Sequence, residues 1–418
     1  MMLCSSFSIS RLAIPSVCAL ISFLAYTSQY FFLHFVPAPL TKEEAWRLNI
    51  AALCIWITYY RSCTVDPGRI PADWRPDGGQ KPVVDSLNDR QRWCRRCEAF
   101  KPPRAHHCKT CQRCIPKMDH HCPWTSNCVS HFTFPHFIRF LFYAVAGMTY
   151  LESCLFDRVS VVWASKDLPS YMGPSVGQIA HLFVLVVTNS LTVFVLGILL
   201  FRTIWALASN TTTIESWEIE RHETLVRRAR HYGGYLQGPG GIRVRIKKQE
   251  FPYDIGIWSN IKAGMGGNGN VISWFWPLAR TPRGETGLDF EVNGFEDPHL
   301  SWPPPDPDRI PLPSRNEKPF TTESSGFGDM QTFNQRKAKD MSRPGMNVQR
   351  RKRFHKRAEE ELHDNDSSDE SDSYETDADD GEEGWRNSEG ERLRDFGVDE
   401  DIEFYDEEDI LRQRVERR

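Results

Sequence analysis

The chain has 418 residues, with 51 lysines and arginines against 55 aspartates and glutamates and a formal net charge of −4. A balance so close to neutral disfavours a general nucleic-acid-binding protein, which would carry a clear basic excess. The hydrophobic content of 40% is unevenly distributed, because residues 12–41 and 168–201 contain no charged side chain while residues 350–383 are almost wholly polar, and this argues against an ordinary soluble enzyme.

Four segments are predicted to cross a membrane as helices. They are Leu12–Val36, Ala45–Cys63, His136–Phe156 and Val176–Leu207. About 20 apolar residues span a hydrocarbon core of about 30 Å, and the first and fourth segments are long and apolar enough. The second has Arg47 and Arg61 at its ends, where long side chains can reach the interface. The third contains Glu152, which would lie at an interface or face the other helices.

The first segment could also be a signal peptide, because it is N-terminal and apolar. It is longer than the apolar core of a usual signal peptide, Arg11 is its only flanking charge, and no small-residue cleavage pattern follows it. We therefore expect it to be retained as a membrane helix.

The distribution of basic residues predicts the orientation in the membrane. The loop from Thr64 to Pro135 holds twelve lysines and arginines, whereas the connections 37–44 and 157–175 hold one and two. Basic loops stay on the cytosolic side, so the large loop and, with four spans, both termini are predicted to be cytosolic. The glycosylation sequon that begins at Asn210 would then face the cytosol and stay unmodified.

The large loop also holds most of the candidate ligands. Seven of the 12 cysteines fall between Cys94 and Cys128, interleaved with His106, His107, His120 and His121. Cysteine and histidine mixed at this spacing are typical of zinc sites rather than of secreted disulfide frameworks, and they indicate a reducing compartment. Two closed tetrahedral sites need eight ligands, which six cysteines and two histidines would supply with one cysteine left over.

Spacing alone does not identify the spare cysteine. Only Cys122, however, has Asp119, His120 and His121 immediately before it. A histidine base activates a neighbouring thiol, and a carboxylate can orient the imidazole. This arrangement is therefore typical of a cysteine nucleophile.

Three motifs resemble one enzyme family. Asp119-His120-His121-Cys122-Pro123-Trp124 is similar to the signature of the DHHC protein S-palmitoyltransferases, and the resemblance extends from Cys94 to Phe137. The other two motifs are Asp66-Pro67-Gly68, which resembles the DPG motif, and Thr212-Thr213-Ile214-Glu215, which resembles the TTxE motif. The TTxE segment also fits a helix capping box that could present Thr213 to Asp119. Ser130 and Thr133 depart from the family pattern, which has glycine and asparagine there.

The resemblance implies a role for each residue of the loop. One zinc site would be formed by Cys94, Cys97, His107 and Cys114, and the other by Cys108, Cys111, His121 and Cys128. Cys122 would accept the acyl group, His120 would be its base, and Asp119 would orient and polarise His120. His106 is left without a chemical role. Both zinc ions would be structural.

The fold expected from these observations is an α-helical polytopic membrane protein. It would have four transmembrane helices, a cytosolic two-zinc DHHC domain and a disordered C-terminal tail. The predicted domains are helices one and two in 1–63, the zinc domain in 64–135, helices three and four in 136–207, a cytosolic domain with the TTxE motif in 208–300, and the charged tail in 301–418. Opposed charge blocks of this kind usually stay disordered. A chain cut after Leu300 is therefore expected to stay active.

The resemblance implies a protein S-acyltransferase that takes palmitate from palmitoyl-CoA and passes it to membrane proteins with cytosolic juxtamembrane cysteines. Segments 134–140, 253–256 and 274–277 are similar to the fungal branch resident in the endoplasmic reticulum. Partners would include the lipid bilayer but no nucleic acid, and loop cations such as Lys101, Arg104 and Lys117 would meet lipid headgroups or CoA phosphates.

The alternative is a membrane-anchored zinc-finger interaction module without catalysis. A RING-type ubiquitin ligase is one version of it. A RING needs a different order and a longer separation of ligand pairs, and it does not explain Asp119 and His120 beside a spare Cys122.

Overall fold

The computed structural model describes residues 10–71, 73–75, 93–94, 96–167, 169, 173–238, 243–267, 269–295, 302–304, 306–307 and 385–400. All of them except Trp385 belong to one compact unit, which is formed by residues 1–319 and 386–418. A second unit comprises residues 320–385.

Helices dominate this unit. Over the described residues they are α1 (Ser10–Ser22), α2 (Ser28–His34), α3 (Lys42–Thr64), α4 (Phe134–Ala164), α5 (Val176–Ser209), α6 (Thr213–Arg230), α7 (Ile257–Gly264) and α8 (Val271–Phe275). A π-helical turn, Phe23–Thr27, joins α1 to α2. Helices α3, α5 and α6 each begin at a capping box, in which a Thr or Ser side chain and a Glu or Gln three residues later satisfy the first free amides.

The strands form two-stranded antiparallel hairpins. They pair β1 (Trp93–Cys94) with β2 (Ala99–Phe100), β3 (His106–Cys108) with β4 (Arg113–Ile115), β5 (His120–Cys122) with β6 (Asn127–Val129), and β7 (Tyr235–Gln237) with β8 (Arg243–Arg245). The first three hairpins lie in the loop between α3 and α4. An isolated two-stranded hairpin is marginally stable at best, so this loop needs support from other contacts.

One apolar cluster runs through the helices and ends at the loop. It joins Phe32 of α2, Leu141 of α4 and Leu185 of α5, each at most 1% exposed, with residues of α3. Cys122 and Val129 of the hairpin β5–β6 belong to the same cluster. The helices therefore position this hairpin at one end of their apolar core.

Two helical segments are long and apolar enough to cross a membrane, namely Leu12–His34 and Val176–Ser209. Only 17% of the most apolar window of each is buried, which is low for the core helix of a soluble protein. The predicted spans 45–63 and 136–156 are helical within α3 and α4, but no other helix among the described residues meets the same criteria. Charged side chains within these two helices make them less apolar on average.

Several of these charges are paired inside the helix bundle. Arg158 of α4 is 3% exposed and donates to both carboxylate oxygens of Glu44 in α3, at 2.6 and 2.9 Å. Glu152 accepts hydrogen bonds from Asn189 and, at 2.6 Å, from Ser190, both on α5. Glu152 therefore faces the neighbouring helix α5, which is the second of the two positions that the sequence allowed, an interface or a face toward the other helices.

The prediction of a disordered tail is wrong for residues 386–400, here called the C-terminal segment. It contains a 3₁₀ turn, Leu393–Phe396, and Leu393, Phe396 and Val398 are at most 6% exposed. These apolar residues follow a strongly acidic run, so the average composition of the tail conceals them. The basic run 350–357 and the acidic run 359–383 lie outside the described residues.

Candidate active site

The first cysteine–histidine cluster consists of Cys94, Cys97, His107 and Cys114. The Nδ1 atom of His107 lies 3.4, 3.3 and 3.8 Å from the three sulfur atoms, in that order. Cys94 ends β1 and Cys97 lies in the turn before β2, and the amide of Cys97 points to the Cys94 sulfur at 3.4 Å. His107 and Cys114 are directly opposite each other in the hairpin β3–β4. A turn and a hairpin together therefore supply the four ligand atoms.

The second cluster repeats this construction with Cys108, Cys111, His121 and Cys128. The Nδ1 atom of His121 lies 3.6, 3.6 and 3.5 Å from the sulfur atoms of Cys108, Cys111 and Cys128. His121 and Cys128 face each other across the hairpin β5–β6. The two clusters interleave along the chain because the hairpin β3–β4 contributes to both.

Both clusters fit a zinc ion. Tetrahedral Zn²⁺ with Zn–S bonds of about 2.3 Å and Zn–N bonds of about 2.0–2.1 Å separates neighbouring ligand atoms by about 3.6–3.8 Å. The measured separations from sulfur to Nδ1 are close to these values, and all four ligand atoms of each cluster lie within 4.8 Å of one another. The structure thus brings together the two sets of four residues that the resemblance implied.

Strand geometry gives the adjacent histidines different surroundings. Successive side chains of a strand point to opposite faces, so in β5 His120 and Cys122 share one face and His121 takes the other. His121 therefore points to the metal cluster. His120 and Cys122 point together toward Asp119 and the apolar core, and Cys122 belongs to neither metal cluster.

Asp119, His120 and Cys122 form a connected polar group. The Nδ1 atom of His120 donates to Oδ2 of Asp119 at 2.6 Å, which leaves its other ring nitrogen for Cys122. Asp119 is 8% exposed and also accepts from the backbone amide of Thr213 at 2.8 Å. The Thr213 hydroxyl donates to the Asp119 carbonyl at 2.7 Å. The TTxE segment thus orients the carboxylate that orients the histidine.

The pKa shifts of this group favour a negatively charged Cys122 beside a positively charged His120. Burial raises the pKa of the Cys122 thiol, but the hydrogen bond and positive charge of His120 outweigh burial, and the net pKa is below that of an ordinary thiol. Burial lowers the pKa of His120, whereas hydrogen bonds to Asp119 and Cys122 raise it, to about 10. Burial raises the pKa of Asp119, and hydrogen bonds from His120 and Thr213 lower it to below its usual range. A thiolate beside an imidazolium is the reactive form of a nucleophilic cysteine.

Comparison with known proteins agrees with this geometry. Residues 87–220 match the family model described as DHHC palmitoyltransferase. The palmitoyltransferase pfa4 of Emericella nidulans is 66% identical to this chain over 430 residues, which cover 100% of the chain and 99% of the relative. The chain belongs to the DHHC palmitoyltransferase family. Palmitoyltransferases of the same name from Aspergillus fumigatus and Gibberella zeae are 68% and 43% identical, over 98% and 94% of this chain and 97% and 89% of the relatives.

The DPG motif lies at the start of the loop between α3 and α4, residues 65–133, here called the DHHC loop. Asp66 accepts from the amide of Gly68 at 2.7 Å and pairs with Arg113 of β4 at 2.9 Å. Gly68 has a φ of +96°, and a Cβ atom there would lie 2.5 Å from the ring of Phe132. Glycine is therefore required both by the left-handed backbone and by the close approach of the ring. Pro67 offers its carbonyl to the hydroxyl of Ser130 at 2.8 Å.

The two departures from the family pattern take part in hydrogen bonds. The Thr133 hydroxyl accepts from the amide of Ser130 at 2.9 Å and donates to the carbonyl of Cys128 at 2.6 Å. Both side chains are at most 2% exposed. Ser130 and Thr133 therefore stabilise the turn that follows Cys128, the last residue of the second cluster, and they link it to the DPG motif.

Arg104 has a structural role that its neighbours in the sequence do not indicate. The sequence predicts contact with lipid headgroups or CoA phosphates, but Arg104 is 7% exposed and its guanidinium donates to both carboxylate oxygens of Glu215 at 2.5 and 2.6 Å. Glu215 also closes the capping box of α6 with Thr212, whose hydroxyl accepts from the Glu215 amide at 3.1 Å. The TTxE motif therefore joins α6 to the DHHC loop through a buried ion pair. Lys101, at 4% exposed, likewise does not point to solvent.

Asn210, which ends α5 in a left-handed conformation, is a second missed residue. Its side-chain oxygen accepts hydrogen bonds from Lys117 at 2.7 Å and from Arg104 at 3.2 Å. Its side-chain nitrogen donates to the carbonyl of Tyr253 at 2.6 Å. Burial, with a contribution from Arg104, lowers the pKa of Lys117 to about 7. Lys117 is partly buried and donates to Asn210, so it does not extend freely into solvent. The signal in the sequence was the position of Asn210, two residues before the TTxE motif.

Breaking the buried ion pair is expected to be costly. Arg104→Met should destabilise the folded protein by about 3–5 kcal/mol, because the Glu215 carboxylate is left buried without its counter-ion. Thermal unfolding of the detergent-solubilised protein measures the loss. Arg47→Met is the matched control, because the Arg47–Glu43 pair is largely exposed, at 53% and 75%. Equal melting temperatures for the two variants would contradict the structural role of Arg104.

Proposed function

We propose that this chain is a membrane-embedded protein S-palmitoyltransferase that transfers palmitate from palmitoyl-CoA to cysteines of target proteins through an S-palmitoyl-Cys122 intermediate. The placement of Cys122 carries the proposal. Cys122 lies outside both metal clusters, shares a strand face with His120, and has a lowered pKa because of that histidine. Family membership supports the same reaction class.

The reaction would proceed in two transfers. In the first, the Cys122 thiolate attacks the thioester carbonyl of palmitoyl-CoA, the bond from the acyl carbon to the CoA sulfur breaks, and the departing thiolate takes a proton from His120. In the second, the neutral His120 takes the proton of a substrate cysteine, whose sulfur attacks the acyl carbon and releases the Cys122 thiolate. Asp119 stabilises the protonated form of His120 in both steps.

The metal clusters would have a structural part in this reaction. Each would hold one Zn²⁺ through three cysteines and one histidine, and a shell closed in this way has no position for water or substrate. Bound zinc supplies folding energy, which the short hairpins of the loop need. His121, held in the second cluster with three cysteines, would thus fix the backbone of β5, and β5 positions His120 and Cys122.

We further propose that α1–α2, α3, α4 and α5 are four transmembrane spans, with the DHHC loop and both termini in the cytosol. The ion pair of Arg158 with Glu44 and the hydrogen bond from Asn189 to Glu152 support this topology, because charged side chains with such partners can be accommodated between helices in a bilayer. The domains would then be 1–63, 64–135, 136–207 and 208–300, and the basic loop favours the cytosolic side. Residence in the endoplasmic reticulum is proposed from the resemblance alone.

Sealed microsomes test this topology. A tag placed after Arg418 is expected to be digested by added protease without detergent, because the C-terminus would face outward. Its protection until detergent is added would contradict the cytosolic orientation.

Labelling with an alkyne-tagged palmitoyl-CoA analogue tests the function. The purified protein is expected to form a hydroxylamine-sensitive adduct, and mass spectrometry should locate it on the peptide that contains Cys122. A zinc-finger interaction module would form no thioester. Absence of an adduct in protein that holds both zinc ions would therefore favour that alternative.

A further inference from the structure

The C-terminal segment lies against both metal clusters. Val398 forms a β-bridge with Cys108, and the amide of Lys109 donates to the carbonyl of Gly397 at 2.9 Å. The amide of Asp399 donates to the carbonyl of His107 at 3.1 Å. His107 and Cys108 are neighbours in β3 but belong to different clusters. One short stretch of backbone therefore binds to the strand that connects the two sites.

Gly397 makes a second contact, with β5. It has a φ of +81°, and a Cβ atom at this position would lie 2.6 Å from the Cβ atom of His121. No side chain fits in this gap without displacing the histidine, because real Cβ contacts are never so short. His121 is followed directly by Cys122, so a displacement here would move the strand that carries the nucleophile.

Apolar and polar contacts hold the segment in place. Leu393 and Val398 are at most 1% exposed. Upstream, the segment binds α6: the indole of Trp217 donates to the carbonyl of Glu391 at 3.2 Å, and the amide of Ser388 donates to Glu220 at 2.6 Å. The segment thus spans from α6, which begins at the TTxE motif, to the metal clusters.

We propose that the C-terminal segment acts in cis as a clasp that retains zinc in both sites and fixes the position of β5. The hairpins of the loop are short, and the segment supplies buried apolar residues and backbone hydrogen bonds directly beside three residues of the clusters, His107, Cys108 and His121. The effect of the clasp on catalysis rests on the proposed function, whereas its effect on zinc retention does not. The proposal replaces the expectation that a chain cut after Leu300 would stay active, because such a chain would lose zinc more easily.

Two deletions separate the segment from the rest of the tail. Truncation after Gly384 removes it, whereas an internal deletion of residues 320–384 keeps it. Contacts outside the first ligand shell typically change metal affinity by about 10–100-fold, so the truncated protein should release zinc to a chelator faster by a factor in that range. The internal deletion should release zinc like the full chain. Equal release by the truncated and the full chain would overturn the proposal.

A pair of glycines provides a test that does not depend on truncated protein folding. Gly390 and Gly397 both have a φ of +81°, but a Cβ atom at Gly390 meets nothing within 4 Å. Gly390→Ala and Gly397→Ala therefore share the backbone strain, and only the second collides with His121. We expect faster zinc release from Gly397→Ala than from Gly390→Ala. Identical release rates would contradict the clasp.

Hydrogen exchange measures directly whether the C-terminal segment binds beside β3. The amide of Lys109 should exchange slowly in the full chain and in the internal deletion, and fast after truncation, since it loses its bond to Gly397. Unchanged protection in the truncated protein would show that the segment does not bind there. Zinc release and amide exchange are measured without acyl donor, so failure of this proposal is distinguishable from failure of the acyltransferase proposal.

Discussion

Cys122→Ser is expected to abolish the hydroxylamine-sensitive acyl adduct while the protein retains zinc in both clusters. The substitution removes the attacking sulfur but no metal ligand, because Cys122 belongs to neither cluster. Mass spectrometry of the labelled protein and zinc analysis measure the two results. Few other single changes should reduce the reaction so completely.

Cys63→Ser is the control for this variant. Cys63 packs against the same apolar cluster as Cys122, but it has no histidine partner among its described contacts. The Cys63→Ser variant should still form the acyl adduct and should retain zinc in both clusters. Loss of zinc from Cys122→Ser would show that the assignment of ligands and nucleophile is wrong.

His120→Ala and His121→Ala are expected to fail in different ways, although the residues are adjacent. His120→Ala should keep both zinc ions but slow acyl transfer by about 10²–10⁴-fold, because positioned acid–base catalysis contributes about that much. His121→Ala should lose the zinc of its own cluster and the local fold, and lose activity as a consequence. Zinc analysis alongside single-turnover acylation distinguishes the two.

The pH dependence separates these variants further. Without His120 the pKa of Cys122 should rise toward the ordinary thiol value of about 8.5, so less thiolate is present at neutral pH and more as the pH increases. Raising the pH should therefore partly restore acylation in His120→Ala. It should not restore His121→Ala, whose defect is structural. The same pH profile and zinc content for both variants would contradict the Asp119–His120–Cys122 mechanism.

Much of the site could be predicted from local sequence, because its chemistry is local. Asp119, His120 and Cys122 lie within four residues, and the capping box of Thr212 and Glu215 is a short-range pattern. The division of eight ligands into two interleaved clusters could not be derived from spacing. It depends on the pairing of His107 with Cys114 and of His121 with Cys128 across two hairpins, which is a property of the folded loop.

Long-range contacts explain what the sequence did not reveal. In the sequence, Arg104 looks like one of several solvent-exposed basic residues of the loop. Only its contact with Glu215, 111 residues away, identifies it as buried. The C-terminal segment follows a strongly acidic run, and no local pattern links Gly397 to His121. In both cases the deciding partner lies in a distant part of the chain.

The environment of Asn210 has a consequence for biosynthesis. A glycan is attached to the side-chain nitrogen of asparagine in a sequon, and in the folded chain that nitrogen donates to the carbonyl of Tyr253 in a site that is 6% exposed. A sugar there would displace this contact and, with it, the bonds that Asn210 accepts from Arg104 and Lys117. In the orientation proposed above, a glycosylated chain would therefore be one that entered the membrane the opposite way round, and it could not complete its fold. Its abundance would measure how often insertion fails.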